Sequence, residues 1–188
     1  MAERVTSETL HTERSIRTFT GKYVDVFDPK EDMIDIVDIA HALSMQPRWG
    51  GHCQKFYSVA QHCLLVTQLT KDKTKLRSIL LDSLMHDASE AYLMDIPRPI
   101  KRSISEYHPI EKRLMEVIYK KFNIELPHHE FTKYSDESAL ILEWDRVVLG
   151  CNMPAMAQQT AKTIFLHYFR VLTDGTFYDD GVFNTKIY

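Results

Sequence analysis

The chain has 188 residues, the size of one ordinary domain. Hydrophobic residues make up 44% and charged residues 26%, which excludes disordered, collagen-like and disulfide-scaffold classes. Lys and Arg total 23 against 26 Asp and Glu, so the net charge of -3 supplies no chain-wide attraction to nucleic acid or anionic membrane.

Residues 1–15 are polar and aperiodic and read as a tail, with charges placed too early for a secretory signal peptide. Cys53, Cys63 and Cys151 form no Cys-x-x-Cys pair and fit a reduced thiol state. The longest apolar stretch, Ser78 to Met85, is interrupted by Asp82 and too short to cross a bilayer. A cytoplasmic protein is expected.

From Ile16 to Phe27 the residues are β-branched and aromatic around Gly21, the pattern of a short hairpin or extended arm. Asp28-Pro29-Lys30-Glu31 then resembles a helix start, and the spacing of Met33, Ile34, Ile36, Val37, Ile39, Ala40 and Leu43 predicts a helix stopping near Pro47. Ser58-Val59-Ala60-Gln61 is a capping box, which puts His62 in the first turn or so of a helix reaching about Leu69. A third helix is predicted from about Lys75 to Met94, closed by Pro97 and Pro99. Further helices are predicted from near Pro109 to Phe122, from near Ser135 to Leu149 and from Pro154 to Leu172. The sum is an all-α bundle of about six helices over residues 16–172, with a C-terminal loop or tail at 173–188.

Chemistry concentrates in the third predicted helix. His86 and Asp87 are about 100° apart on a helix, and Glu90 lies one turn on, so all three share a face. His62 sits on the preceding helix, and antiparallel packing of the two would bring its imidazole against that cluster. Asp136, on the fifth helix, would close the set, with Asp145 on the same helix as a rival. Two imidazoles and two carboxylates suit Mn, Co, Fe, Mg or Zn acting as Lewis acid and water activator, and do not match a structural zinc finger. His11, His41, His108, His128, His129 and His167 receive no role; adjacent His128 and His129 read as solvated loop residues.

The order His62, His86-Asp87, Asp136 resembles the H…HD…D signature of the HD-domain phosphohydrolases, which are helical bundles. The segment HDASEAYLMDIPRPIK, residues 86–101, resembles the small single-domain nucleotide members: bacterial 5′-deoxyribonucleotidases, phage dATP triphosphohydrolases and the oxetanocin-A phosphohydrolase. The stretch from Thr18 to His62, with Asp38-Ile39-Ala40, RWGGH and YSVAQH, is similar to the phage and oxetanocin-type branch. The resemblance covers roughly residues 16–150.

It implies that His62, His86, Asp87 and Asp136 are the metal ligands, with Asp136 preferred over Asp145 because the family places its last Asp seven residues before a Glu, here Glu143. It further implies that Glu90 orients or deprotonates the attacking water beside Asp87, and that Asp95 binds the sugar 3′-hydroxyl. Arg48 and Lys101 would hold phosphate oxygens, with His52 as a further phosphate-chain or sugar contact. Trp49, Ile96 and Pro99 would line the base or sugar pocket. The implied function is divalent-metal-dependent hydrolysis of the 5′-phosphate chain of purine deoxynucleotides, dATP-type triphosphates favoured. The alternatives are a 5′-deoxyribonucleotidase acting on monophosphates and a non-catalytic module that binds metal and nucleotide. The resemblance also implies self-association, as dimer or hexamer, while the net charge and the lack of a long basic groove or apolar span lead to the expectation of no nucleic acid polymer or membrane partner.

Overall fold

The computed structural model describes residues 14–150 and 156–174. A short hairpin, β1 (Ser15–Arg17) and β2 (Tyr23–Asp25), precedes α1 (Ile36–Met45), α2 (Val59–Lys71), α3 (Arg77–Met85) and the single turns α4 (Glu90–Leu93) and α5 (Arg98–Lys101). Then follow α6 (Tyr107–Phe122), α7 (Glu130–Glu143) and α8 (Gln158–Asp174). Among the described residues this is an all-α bundle with one two-stranded appendage. Of the predicted tails at 1–15 and 173–188, residues 1–13 and 175–188 lie outside the described residues, as do Cys151 and the predicted helix start at Pro154, while Ser15 belongs to β1 and α8 runs on to Asp174. No helix among those described is long and apolar enough to cross a membrane.

In the hairpin Ile16 faces Val24 in antiparallel register, and Gly21 supplies the positive φ of 90° at the turn. Asp38 of α1 ties it down, accepting from the amide and hydroxyl of Thr20 at 2.6 and 2.7 Å.

Helix α1 does not open at Asp28. Lys30 and Ile34 are both extended, with a single 3-10 turn, Glu31–Met33, between them. Asp28 spends its carboxylate on Lys30 at 2.8 Å, and the cap is instead Asp35, which accepts from the amide of Val37 at 2.9 Å. The Ser58 capping box is present with both reciprocal bonds, and α2 runs to Lys71. This helix is buried on nearly every side, so it forms the axis of the bundle. Its Leu64 packs in one core with Leu43 of α1, Leu84 of α3, Leu114 and Ile118 of α6, and Phe165 of α8. Each of these leucines is fully buried, and truncating one to Ala would cost about 2–5 kcal/mol.

The predicted single helix from Lys75 to Met94 is two helices. After Met85 the hydrogen bonds tighten to three-residue spacing: Ala88 to Met85, Glu90 to Asp87 and Tyr92 to Ser89. The chain thereby turns at His86–Ser89 and ends at Met94, whose φ of 68° and ψ of 154° no helix can continue. Pro97 and Pro99 close nothing further; they start α5, where a missing amide is harmless. Helix α7 starts five residues before Ser135, capped by His129, whose Nδ1 accepts from the amide of Phe131 at 3.1 Å. It widens into a π-turn, Trp144–Val148.

Candidate metal and phosphate site

Three elements converge on one point. The capping box fixes the start of α2 and so the position of His62 one turn in. The turn after α3 presents His86 and Asp87, and α7 carries Asp136 and, two turns on, Glu143. The His62 and His86 Nε2 atoms are 3.2 Å apart. Asp87 Oδ2 lies 3.4 and 3.3 Å from them, and Asp136 Oδ1 lies 3.1 and 3.8 Å from the same two atoms.

The tautomers make that packing suited to a cation. His62 Nδ1 donates to Glu143 Oε1 at 2.6 Å, and His86 Nδ1 donates to the Ser83 carbonyl at 2.8 Å. Each neutral ring therefore turns a bare Nε2 lone pair toward the other and toward two carboxylates. Donors bound to one ion at about 2.1 Å lie about 3.0–3.4 Å from their neighbours, which is the spacing seen between the two imidazoles and Asp87. His62, His86 and Asp87 thus form a cluster able to coordinate a divalent metal ion.

Without an ion the cluster attracts protons. Burial and Arg48 pull His62 down, but Glu143 and Asp136 outweigh them and push it up to about 9. Burial lowers His86 too, yet Asp87 and Asp136 raise it to about 9. Against its own burial, Asp87 is held well below the usual carboxylate range, chiefly by His86 and then His62.

A cavity of about 490 Å³ opens beside these residues, within the range of small-molecule sites. Asp87 and Asp136 line it, while His62 is buried and His86 half-buried against them. Around it the structure gathers Arg48, Trp49 and His52 from the segment after α1, and Glu90, Asp95, Ile96, Pro99 and Lys101 from α4, α5 and their connection. All twelve side chains singled out in the sequence therefore belong to one place. Asp145 is exposed and does not line the cavity.

No family model matches the chain. It is 39% identical over 135 residues to the uncharacterized protein YfdR of Escherichia coli, covering 72% of each chain. The chain belongs to the YfdR family. An uncharacterized protein of Rhodobacter capsulatus is 34% identical over 113 residues, 57% of this chain and 58% of that protein.

The braces behind this site in the YfdR-family chain are residues to which the sequence assigns no such role. Fully buried Glu143 uses both oxygens, Oε1 on His62 and Oε2 on Arg48 at 3.3 Å. Gln46 receives the Asp95 amide on Oε1 at 3.2 Å and donates from Nε2 to the Glu90 carbonyl at 2.9 Å, fixing both ends of the α4 turn. Pro97, Arg98 and Leu140 complete the wall. Of these only Glu143 carries a sequence signal, its seven-residue spacing from Asp136.

Arg48 and Lys101 are each shared between carboxylates: Arg48 between Asp95 at 3.4 Å and Glu143, Lys101 between Glu90 at 3.4 Å and Glu111 at 2.8 Å. Burial, then Asp87 and Asp95, hold the Glu90 carboxyl well above its ordinary range, and Glu90 Oε2 has no hydrogen-bond partner among the described residues. Trp49 has a left-handed φ of 59°, followed by Gly50 at 60°, and its buried indole N–H also lacks a partner among the described residues. A left-handed non-glycine residue costs about 1–2 kcal/mol, so the surrounding structure holds Trp49 at the cavity wall against its preference.

Proposed function

We propose that the chain is an HD-domain-type phosphohydrolase that uses a divalent metal ion to cleave the 5′-phosphate chain of purine deoxynucleotides, with dATP-type triphosphates favoured. The observation that carries this reading is the pair of Nε2 lone pairs, 3.2 Å apart and flanked by Asp87 and Asp136, beside a cavity lined also by the cations Arg48, Arg98 and Lys101 and by Trp49. His62, His86, Asp87 and Asp136 would hold the ion. When bound, it polarises a phosphoryl oxygen and acidifies water.

The remaining chemistry belongs to side chains of the chain itself. Glu90, with Oε2 unpaired and its carboxyl biased toward the protonated form, holds or accepts the proton exchanged with the attacking water. Arg48 and Lys101 balance charge as it builds on the transferring phosphoryl group, each re-sharing its donors between the carboxylates and the substrate. Asp95 accepts a sugar hydroxyl, and Trp49 with Ile96 and Pro99 forms the apolar wall for the base or sugar. His52 takes a further phosphate or sugar contact.

The test is product analysis by anion-exchange chromatography, with metal-loaded protein against dATP, dAMP, ATP and AMP and Glu90→Ala as control. The reading expects dATP to be consumed and the variant to be inert. Turnover of dAMP alone would favour a 5′-deoxyribonucleotidase. Binding without turnover would leave a non-catalytic module.

A further inference from the structure

The cations around the cavity are not equivalent. Arg48 and Lys101 are inner cations, each already held by two carboxylates. Arg98 lines the same cavity from the mouth: it is exposed, and no carboxylate lies within ion-pair distance of it among the described residues. Its backbone stands between Pro97 and Pro99, whose rings restrict φ, so the base of this long side chain is held in place.

Charge balance gives that position a consequence. A single phosphate at the ligand cluster can be met by the ion and by re-sharing of Arg48 and Lys101. A second and third phosphate add negative charge beyond that point, in a cavity whose lining also carries Asp95. Arg98 is placed there with its donors uncommitted, and a planar guanidinium fork matches phosphate oxygens.

We infer that Arg98 is a specificity-determining residue that binds the phosphates beyond the first, so that the cavity selects nucleotides carrying two or more phosphates over monophosphates. The inference rests on the phosphohydrolase reading for its substrate and deepens it.

The experiment measures kcat/KM for dATP and dAMP in the metal-loaded full chain and in Arg98→Ala, Arg98→Lys and Arg102→Ala. Arg102 is exposed just beyond α5 and does not line the cavity. The ratio of dATP to dAMP should fall at least tenfold in Arg98→Ala, recover in part in Arg98→Lys and stay unchanged in Arg102→Ala. In parallel, calorimetry with tripolyphosphate and orthophosphate should show their affinity ratio falling by a similar factor in Arg98→Ala. Unchanged ratios in both assays overturn the inference and leave the hydrolase reading intact. An Arg98-dependent affinity ratio in a wild-type chain that turns over no nucleotide would sink the hydrolase reading and keep the subsite. A wild type that neither turns over nucleotide nor binds tripolyphosphate overturns both.

Discussion

Glu143 fixes His62 from behind: its Oε1 takes the Nδ1 proton at 2.6 Å, which commits the ring to presenting Nε2 to the cluster. Its other oxygen anchors Arg48, 95 positions away in sequence, so one buried carboxylate sets both a ligand's tautomer and a cation's position. Burial alone would raise Glu143, but His62 and then Arg48 keep it ionised.

Glu143→Gln should therefore damage binding and folding together. An amide cannot pair with Arg48 as an ion and can present N–H to His62, so metal affinity is expected to drop about 10–100-fold. Leaving Arg48 without half of its countercharge in a buried site should cost about 3 kcal/mol or more. Isothermal titration and urea denaturation of the same preparation check both; an unchanged affinity would remove Glu143 from the support of the site.

Removing metal should soften the whole bundle, because the residues proposed to hold it come from α2, the turn after α3, and α7. At a metal concentration about 100 times Kd, binding contributes about 2.7 kcal/mol, which for a chain of this size is a rise of about 5–10 °C in Tm. Thermal denaturation in chelator and after adding back Mn, Co, Mg or Zn measures it. His86→Ala should show no such rise.

Met94 offers a gain in stability. Its φ of 68° and ψ of 154° lie in a region that is nearly glycine's alone, and its side chain is 66% exposed. Met94→Gly gives up little packing and should stabilise the protein by about 1 kcal/mol, or about 2–4 °C in Tm. A lower Tm would show that the Met94 side chain contributes more than its exposure indicates.

The acid limb of stability should pass through Asp82. Its Oδ1 accepts from Tyr119 at 2.9 Å and from His128 at 2.7 Å, and its Oδ2 accepts from the His129 amide at 3.0 Å and from Thr132 at 2.5 Å. Burial raises this carboxyl, but the bonds from His128 and Thr132 outweigh it and the net shift is downward. A depressed folded pKa means that the stabilisation is present above the unfolded value of about 3.9 and is lost as pH falls through the folded one. Wild type should thus exceed Asp82→Asn by about 2–3 kcal/mol at neutral pH, with the gap closing below pH of about 4. Urea denaturation at several pH values tests this; a gap independent of pH would exclude the ionised carboxylate as its source.

Legibility in the sequence follows the range of the interaction. The Ser58–Gln61 box and the Asp136–Glu143 spacing are local, and both are readable as written. The choice of Asp35 over Asp28 as the helix cap is not, because Lys30 competes for Asp28 and both sites carry acceptable residues. The break after Met85 is invisible for a similar reason: residues 77–93 suit a helix throughout, and the turn arises from a change to three-residue hydrogen bonding. His128 and His129 look like solvated loop residues, yet one binds Asp82 and the other caps α7, across a fold that no short window contains. Gln46 is unreadable in the same way, since its partners Glu90 and Asp95 lie 44 and 49 positions on.

His62, His86, Asp87 and Asp136 are proposed to hold one divalent ion between them. Calorimetric titration of chelator-stripped protein with Mn and Co, beside His62→Ala, His86→Ala, Asp87→Ala and Asp136→Ala, tests it most directly. The account predicts one ion per chain in the wild type and a loss of at least about 100-fold in affinity for each variant, since each removes a ligand from a small set. Wild-type protein that takes up no ion, or variants that bind it as tightly as the wild type, would contradict it.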